Sequence, residues 1–258
     1  MTPISQDGEL PENGECRAKR ASAVVLISGG GTNLQALLDQ IAAGLLPMEL
    51  KAVISNRPNV RGLERAQMAN VPALCIDHQK FDRRDAFDEA LALAIDETQA
   101  EFIILAGFMR ILSGDFTRRY AGRMINLHPS LLPKYPGLHT YRKALAAGDR
   151  EHGASIHFVT DELDGGPVIA QAYIPVLPGD DELTLQRRLA PVEHRLLLAV
   201  VYCWVAGRIT CHAGQVLLDG KRLSQPMVLN NDEKLAFSAS LMLARDSATE
   251  IAGSRNDG

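Results

Sequence analysis

The stretch Ser22-Ala23-Val24-Val25-Leu26-Ile27-Ser28-Gly29-Gly30-Gly31-Thr32-Asn33 decides the fold. Its unbroken apolar run, from Ala23 to Ile27, is the pattern of a strand buried on both faces, not of an alternating half-exposed one. Three glycines follow, then apolar residues at helical spacing through Ala43, with Gly44 as the stop. The same grammar repeats downstream. Lys51-Ala52-Val53-Ile54-Ser55 reads as a second strand and Leu63 to Asn70 as a short helix. Ala73 to Ile76 reads as a third strand, Asp82 to Thr98 as a helix, and Phe102-Ile103-Ile104-Leu105-Ala106 as a fourth strand. A further short helix precedes a strand at Arg123 to Leu127. Apolar strands alternating with helices predict an α/β protein with a mostly parallel sheet covered on both faces.

Beyond residue 150 the character changes. His152 to Thr160 and Val168 to Val176 read as strands flanking an Asp/Gly-rich loop, and a long helix is expected from about Leu183 to Ala206. Arg208 to Leu223 has hairpin character, with Asp219-Gly220 as its turn. Residues 1–20 read as a disordered lead-in and residues 21–223 as a single domain. Residues 224–258 read as a C-terminal extension with one amphipathic helical segment from about Asn230.

At 258 residues the chain can bury a substantial core, and its 46% hydrophobic and 22% charged residues are those of an ordinary soluble protein. A formal charge of −4 argues against a general nucleic-acid or membrane-surface role, while leaving room for a local phosphate site. The early residues hold no apolar signal segment, and the apolar run Leu196 to Ala206 is too short to span a bilayer. Cys16, Cys75, Cys203 and Cys211 form no CxxC pair and no metal-ligand spacing. They are expected as reduced thiols of a cytoplasmic protein, Cys75 and Cys203 buried.

Two features carry chemistry. Consecutive glycines after the first strand let backbone N–H groups approach an anion, and the following helix adds its positive end. The loop completes neither GxGxxG, since Leu34 stands at the third position, nor a Walker A motif, so a monophosphate suits it better than a dinucleotide or triphosphate. The plainer reading is a tight turn with Thr32 or Asn33 as helix N-cap. The second feature is Asn126-Leu127-His128-Pro129, with Asp164 in the later Asp164-Gly165-Gly166-Pro167 loop. Residues i and i+2 of a strand share a face, so Asn126 and His128 point into one cleft at the strand's carboxyl end. An amide to stabilise an oxyanion, an imidazole to move a proton and a carboxylate to orient the imidazole suit an acyl-type transfer without a metal. Asp-Gly-Gly-Pro is by itself an ordinary turn. A nucleophilic Ser130 lacks its usual Gly-x-Ser-x-Gly setting, and His152, His157 and Asp161 do not match a known metal-ligand spacing.

Four motifs in register carry a resemblance. They are Ser28 through Gln35, Ala106-Gly107-Phe108-Met109-Arg110-Ile111-Leu112, Asn126 through His139, and His157 through Pro167. Over residues 22–223 the chain resembles the phosphoribosylglycinamide formyltransferase family of folate-dependent enzymes. The resemblance implies a Rossmann-like formyltransferase fold and catalysis by Asn126, His128 and Asp164. It implies substrate contacts at Gly31, Thr32, Asn33 and Glu193, and folate contacts at Arg84, Met109, Arg110, Ile111, Leu112 and Asn126. It further implies 10-formyltetrahydrofolate as co-substrate and phosphoribosylglycinamide as acceptor, with no metal and no nucleic-acid or membrane partner, in a monomer or homodimer. Asp164 is expected to raise the His128 pKa. The loop departs from the family's usual Gly-Asn-Gly-Ser-Asn, and Ala190-Pro191-Val192 stand where relatives often carry a glutamine three residues before the helix glutamate. Methionyl-tRNA formyltransferases share the Asn-x-His feature but add a C-terminal domain of about one hundred residues. Formyltetrahydrofolate hydrolases add an N-terminal one, and a non-catalytic phosphate-binding module would need only the glycine loop.

Overall fold

The computed structural model describes residues 20–229. The first strand, β1 (Ala21–Ile27), leads through the glycine loop into α1 (Thr32–Ala42). There follow β2 (Met48–Ser55), α2 (Arg61–Met68), β3 (Ala73–Cys75), α3 (Arg84–Thr98), β4 (Phe102–Leu105), α4 (Gly114–Arg119) and β5 (Met124–His128). The chain continues as α5 (Thr140–Ala146), β6 (Glu151–Phe158), β7 (Val168–Pro175) and α6 (Glu182–Val205). Three short strands, β8 (Ile209–His212), β9 (Gln215–Leu218) and β10 (Lys221–Arg222), precede β11 (Met227–Val228).

The main sheet has the order β3-β2-β1-β4-β5-β6-β7-β11, and its first five strands are parallel, as are β7 and β11. Only β6 runs against its neighbours β5 and β7. The direction of winding reverses between β1 and β4, and open α/β sheets place ligand crevices at the carboxyl ends of such strands.

Burial explains why β1 carries no polar alternation. Ala23, Val25 and Ile27 enter the core under α1 and α6, with Leu34, Leu37, Leu189 and Leu196. Val24 and Leu26 face the opposite core, with Phe87, Leu91 and Ile95 from α3 and Phe116 from α4. Trp204, near the end of α6, locks that helix to the sheet by edge contacts with Phe102 and Phe158, at centroid distances of 4.4 and 6.0 Å. Asp181 and Thr184 close a reciprocal capping box that fixes where α6 begins.

Several expectations need correction. Cys75 is exposed, because β3 is a three-residue edge strand with nothing packed over its last two positions, whereas Cys203 is buried as expected. The segment expected as one hairpin is a three-stranded antiparallel sheet. Asp219-Gly220 makes its second turn, and Ala213-Gly214, both at positive φ, makes its first. Helix α5 was not anticipated, since seven residues after a proline-rich loop give too short an apolar period. The sheet also gains β11 beyond residue 223. Cys16 and the amphipathic segment expected from Asn230 lie outside the described residues.

Gly153, in the middle of β6, tests the packing of the antiparallel half. A Cβ there would overlap the Ala172 carbonyl oxygen of β7 and approach Leu131 to 2.6 Å. Gly153→Ala is expected to cost about 1–3 kcal/mol of stability in urea unfolding, by overpacking a site with no room to relax.

Candidate active site

A cavity of about 760 Å³ opens at the carboxyl ends of β4 and β5. Asn126 and His128 both line it, as their shared strand face requires, and Asp164 reaches it from the loop between β6 and β7. Asp164 takes the left-handed conformation (φ 50°), which aspartate tolerates better than most residues, so the Asp-Gly-Gly turn and the carboxylate that lines the cavity are one feature. A Cβ on Gly166 would overlap the Phe158 carbonyl oxygen, so the loop needs glycine there to lie against β6.

The carboxylate is nearly closed off from solvent and fully engaged. Gly137 N–H donates to Oδ2 at 2.8 Å, and His128 Nδ1 lies 3.5 Å from the same oxygen. Oδ1 accepts from Asn126 Nδ2 at 3.4 Å and lies 3.6 Å from His157 Nε2. Burial would push the Asp164 pKa up, but the neighbouring His157 and His128 imidazoles and the Gly137 N–H outweigh it and hold it at about 2.

His128 is buried, and its two nitrogens have distinct settings. Nε2 lies 3.0 Å from the Tyr135 carbonyl, an acceptor only, so Nε2 carries a proton in every charge state. The titrating position is Nδ1, which faces Asp164. Asp164 raises the His128 pKa as expected, but the net shift is downward. Desolvation pulls the pKa below the ordinary histidine value, while the Tyr135 carbonyl and the Asp164 charge pull it back up without overcoming burial. His157, one strand away and paired in register with Asn126, holds the Asn126 amide at 3.1 Å through Nε2 and bonds the Phe158 carbonyl through Nδ1. Sequence reasoning weighed it only in a metal group that its spacing does not support, and gave it no role beside Asn126. The register of β5 against β6, which reveals its role, becomes visible only once the sheet is formed.

The other expected residues divide. Met109, Arg110, Ile111 and Leu112 line the cavity. Ser28 ties this segment to the sheet by donating to Asn56 at 2.5 Å and accepting from Met109 N–H at 2.7 Å. Arg110 lies over the Phe87 ring at 4.6 Å, and its buried Nε has no partner. Arg84 is exposed outside the cavity wall and donates to the Leu112 carbonyl, bracing the segment from behind. Gly31, Thr32, Asn33 and Glu193 form a second cluster beside the cavity. Gly31, at φ 69°, is itself the N-cap of α1 and offers no side-chain cap, so neither Thr32 nor Asn33 satisfies the helix end. A Cβ at Gly31 would come within 2.8 Å of Gly62 Cα, so glycine is required for the close approach of α2. Asn33 Nδ2 donates to Glu193 at 3.5 Å, and Tyr141, which lines the cavity, donates to the other Glu193 oxygen at 3.5 Å.

The residues weighed as alternatives do other work. Ser130 is fully buried and donates to the Lys134 carbonyl at 2.6 Å. His152 packs on Tyr141 and Asp161 lies near Arg118, so His152, His157 and Asp161 are not brought together as a ligand set.

Fold and site together define a group-transfer enzyme of the α/β class, and similarity to known proteins specifies which. The formyl transferase family model matches residues 21–201, and the chain belongs to that family. Within it, the chain is 50% identical to Escherichia coli phosphoribosylglycinamide formyltransferase over 200 residues, 78% of this chain and 94% of the relative. The solved phosphoribosylglycinamide formyltransferase of Coxiella burnetii superposes with a TM-score of 0.76 at 50% identity, covering 80% of this chain and 97% of that one. The glycinamide ribonucleotide transformylase 1 of Symbiobacterium toebii gives the same TM-score at 40% identity, over 80% and 98% of the two chains. The protein is thus an enzyme of formyl transfer, of the kind that serves purine biosynthesis. Among the described residues no helix is long and apolar enough to cross a membrane.

Burial raises the Glu193 pKa to about 7, against the pull of its Asn33 and Tyr141 hydrogen bonds. A carboxyl raised on folding favours the folded state fully below the ordinary carboxyl pKa, and that contribution is lost as pH rises through about 7. Glu193→Gln removes the effect. Between about pH 5 and pH 8, wild type is expected to lose on the order of 2 kcal/mol more stability than the variant, read by urea unfolding at each pH.

Proposed function

We propose that the enzyme transfers the formyl group of 10-formyltetrahydrofolate to the amine of 5'-phosphoribosylglycinamide in the cytoplasm, acting as a monomer or homodimer. The observation that carries this reading is the convergence of Asn126, His128 and Asp164 on one wall of the cavity. In the same cavity, Met109, Ile111, Leu138 and Leu163 expose apolar surface, which suits a flat folate ring. The uncapped start of α1 behind Gly29 to Gly31 suits the ribose 5-phosphate.

The chemistry is direct transfer. The neutral substrate amine attacks the formyl carbon, forming the new C–N bond, and the carbonyl electron pair becomes an oxyanion. Asn126 is placed to donate to that oxyanion, exchanging its weaker 3.4 Å bond to Asp164 while His157 holds the amide in plane at 3.1 Å. His128 Nδ1, unprotonated in the free protein, takes the proton shed by the attacking amine and delivers it to the folate nitrogen as its bond to the formyl carbon breaks, so the proton count balances. Burial leaves His128 mostly neutral in the free protein. A developing oxyanion beside it favours the imidazolium, and the fixed Asp164 carboxylate stabilises that form as the reaction needs it.

Asn126→Ala and His128→Ala are each expected to lower kcat by about 10²–10³ without unfolding the protein. The measurement is a spectrophotometric assay with both substrates. Undiminished turnover in His128→Ala would overturn the assignment, and folate consumption without the ribonucleotide would indicate a hydrolase instead.

A further inference from the structure

We propose that Tyr141 is a positioning residue for the amine substrate, its hydroxyl holding the Glu193 carboxylate at the junction of the cavity and the glycine loop. The proposal rests on the functional reading above and names a residue that neither the motifs nor the fold pointed to.

Glu193 sits on α6 where α1 and α5 approach it. Asn33 from α1 donates to one carboxylate oxygen and Tyr141 from α5 to the other, each at 3.5 Å. Both donors are neutral, both bonds are long, and among the described residues no cation is paired with this carboxylate. Two further acceptors nearby are buried without a partner. They are Asn33 Oδ1 and the hydroxyl oxygen of Thr140, which also lines the cavity. Buried acceptors short of donors are costly in the free protein and are satisfied by a ligand bearing N–H groups. The glycinamide end of the proposed acceptor, an amine followed by an amide, is such a group, and the adjoining glycine loop would take the phosphate at its other end.

Tyr141 is well placed to fix the carboxylate because its own ring is fixed. It packs at 60° against His152, with centroids 5.1 Å apart. His152 is buried on β6, donates to the Pro129 carbonyl and is held neutral by desolvation, with its pKa pulled down to about 4. The platform under the tyrosine is therefore rigid and uncharged at neutral pH. The helix under Glu193 is less constrained. Pro191, two residues earlier, has no N–H to give to the preceding turn, so the backbone there lacks one bond. The Tyr141 and Asn33 bonds supply from neighbouring helices part of the restraint that the local backbone gives up.

The groups facing Glu193 are few. From α5 comes Tyr141, itself raised by burial and by the Glu193 charge; from α1 comes the uncharged Asn33; from β6 comes His152, behind the Tyr141 ring; and on α6 the next residue is His194, lowered by burial. Of these, Asn33 and Tyr141 are the two that pull the Glu193 pKa down. Removing the hydroxyl therefore favours the protonated carboxyl, the form that cannot accept from an amine with both oxygens.

Tyr141→Phe keeps the ring on His152 and deletes only the hydroxyl, and it is read in two ways. In the free protein, the Glu193-linked stability change is obtained by comparison with Glu193→Gln in each background, and its midpoint is expected to move to higher pH. With both substrates, KM for phosphoribosylglycinamide is expected to rise about tenfold near pH 6 and less near pH 8, while KM for the folate changes less than twofold. An unmoved midpoint would overturn the proposal. So would an unchanged ribonucleotide KM, or an equal rise in both KM values at every pH, which would mark general damage to the cavity. Absence of ribonucleotide turnover in wild type would instead refute the functional reading, with the free-protein midpoint still judging the Tyr141–Glu193 link.

Discussion

A buried carboxylate has to be compensated, and the site is organised around how Asp164 meets that requirement. Its two oxygens draw Gly137 N–H, the Asn126 amide, His128 and His157 to one point, from β5, β6 and the loop that leaves β5. An uncompensated charge at that depth would cost several kcal/mol, so each of these groups is held there by the energy of satisfying the others. The left-handed turn at Asp164 and the close approach of Gly166 to β6 are the backbone conditions for it. The sheet supplies the rest. Parallel β4 and β5 bring Met109 to Leu112 and Asn126 to His128 to the same carboxyl edge, and antiparallel β6 lays His157 opposite Asn126.

The two carboxylates beside the cavity, Asp164 and Glu193, sit in opposite environments. Asp164 accepts from the Gly137 N–H and the Asn126 amide beside two imidazoles and stays ionised far into acid, while Glu193 has two long neutral bonds and burial around it, which brings its titration near neutrality. Carboxyl groups pushed apart in this way commonly take different tasks. A permanently charged Asp164 suits stabilisation of an imidazolium that exists only during the reaction. Glu193, by contrast, changes its charge within the neutral range, so its acceptor capacity depends on pH there. His128 completes the arrangement, because a group lowered by burial and drawn upward by a fixed anion changes its proton affinity readily when charge appears beside it.

Most of the fold was legible because its strands are continuous apolar runs. Ala23 to Ile27 and Ile103 to Leu105 are buried on both faces, so local sequence and tertiary environment agree there. Asn126 and His128 were legible for the same reason, since strand periodicity alone puts them on one face. What was hidden depends on pairing and burial. The role of His157 follows from the β5–β6 register, the exposure of Cys75 from the edge position of β3, and α5 from packing against α6. The upward pull of Asp164 on His128 was legible from motif order, whereas the burial that outweighs it was not, because depth of burial cannot be inferred from the sequence.

The central claim is that Asp164 raises the proton affinity of Nδ1 in a histidine that burial keeps mostly neutral. The direct measurement is an NMR titration of the His128 ring in wild type and in Asp164→Asn, without substrates. The account predicts that His128 titrates below the ordinary histidine range in wild type and lower still in the variant. A His128 pKa that is unchanged, or higher, when Asp164 loses its charge would contradict it.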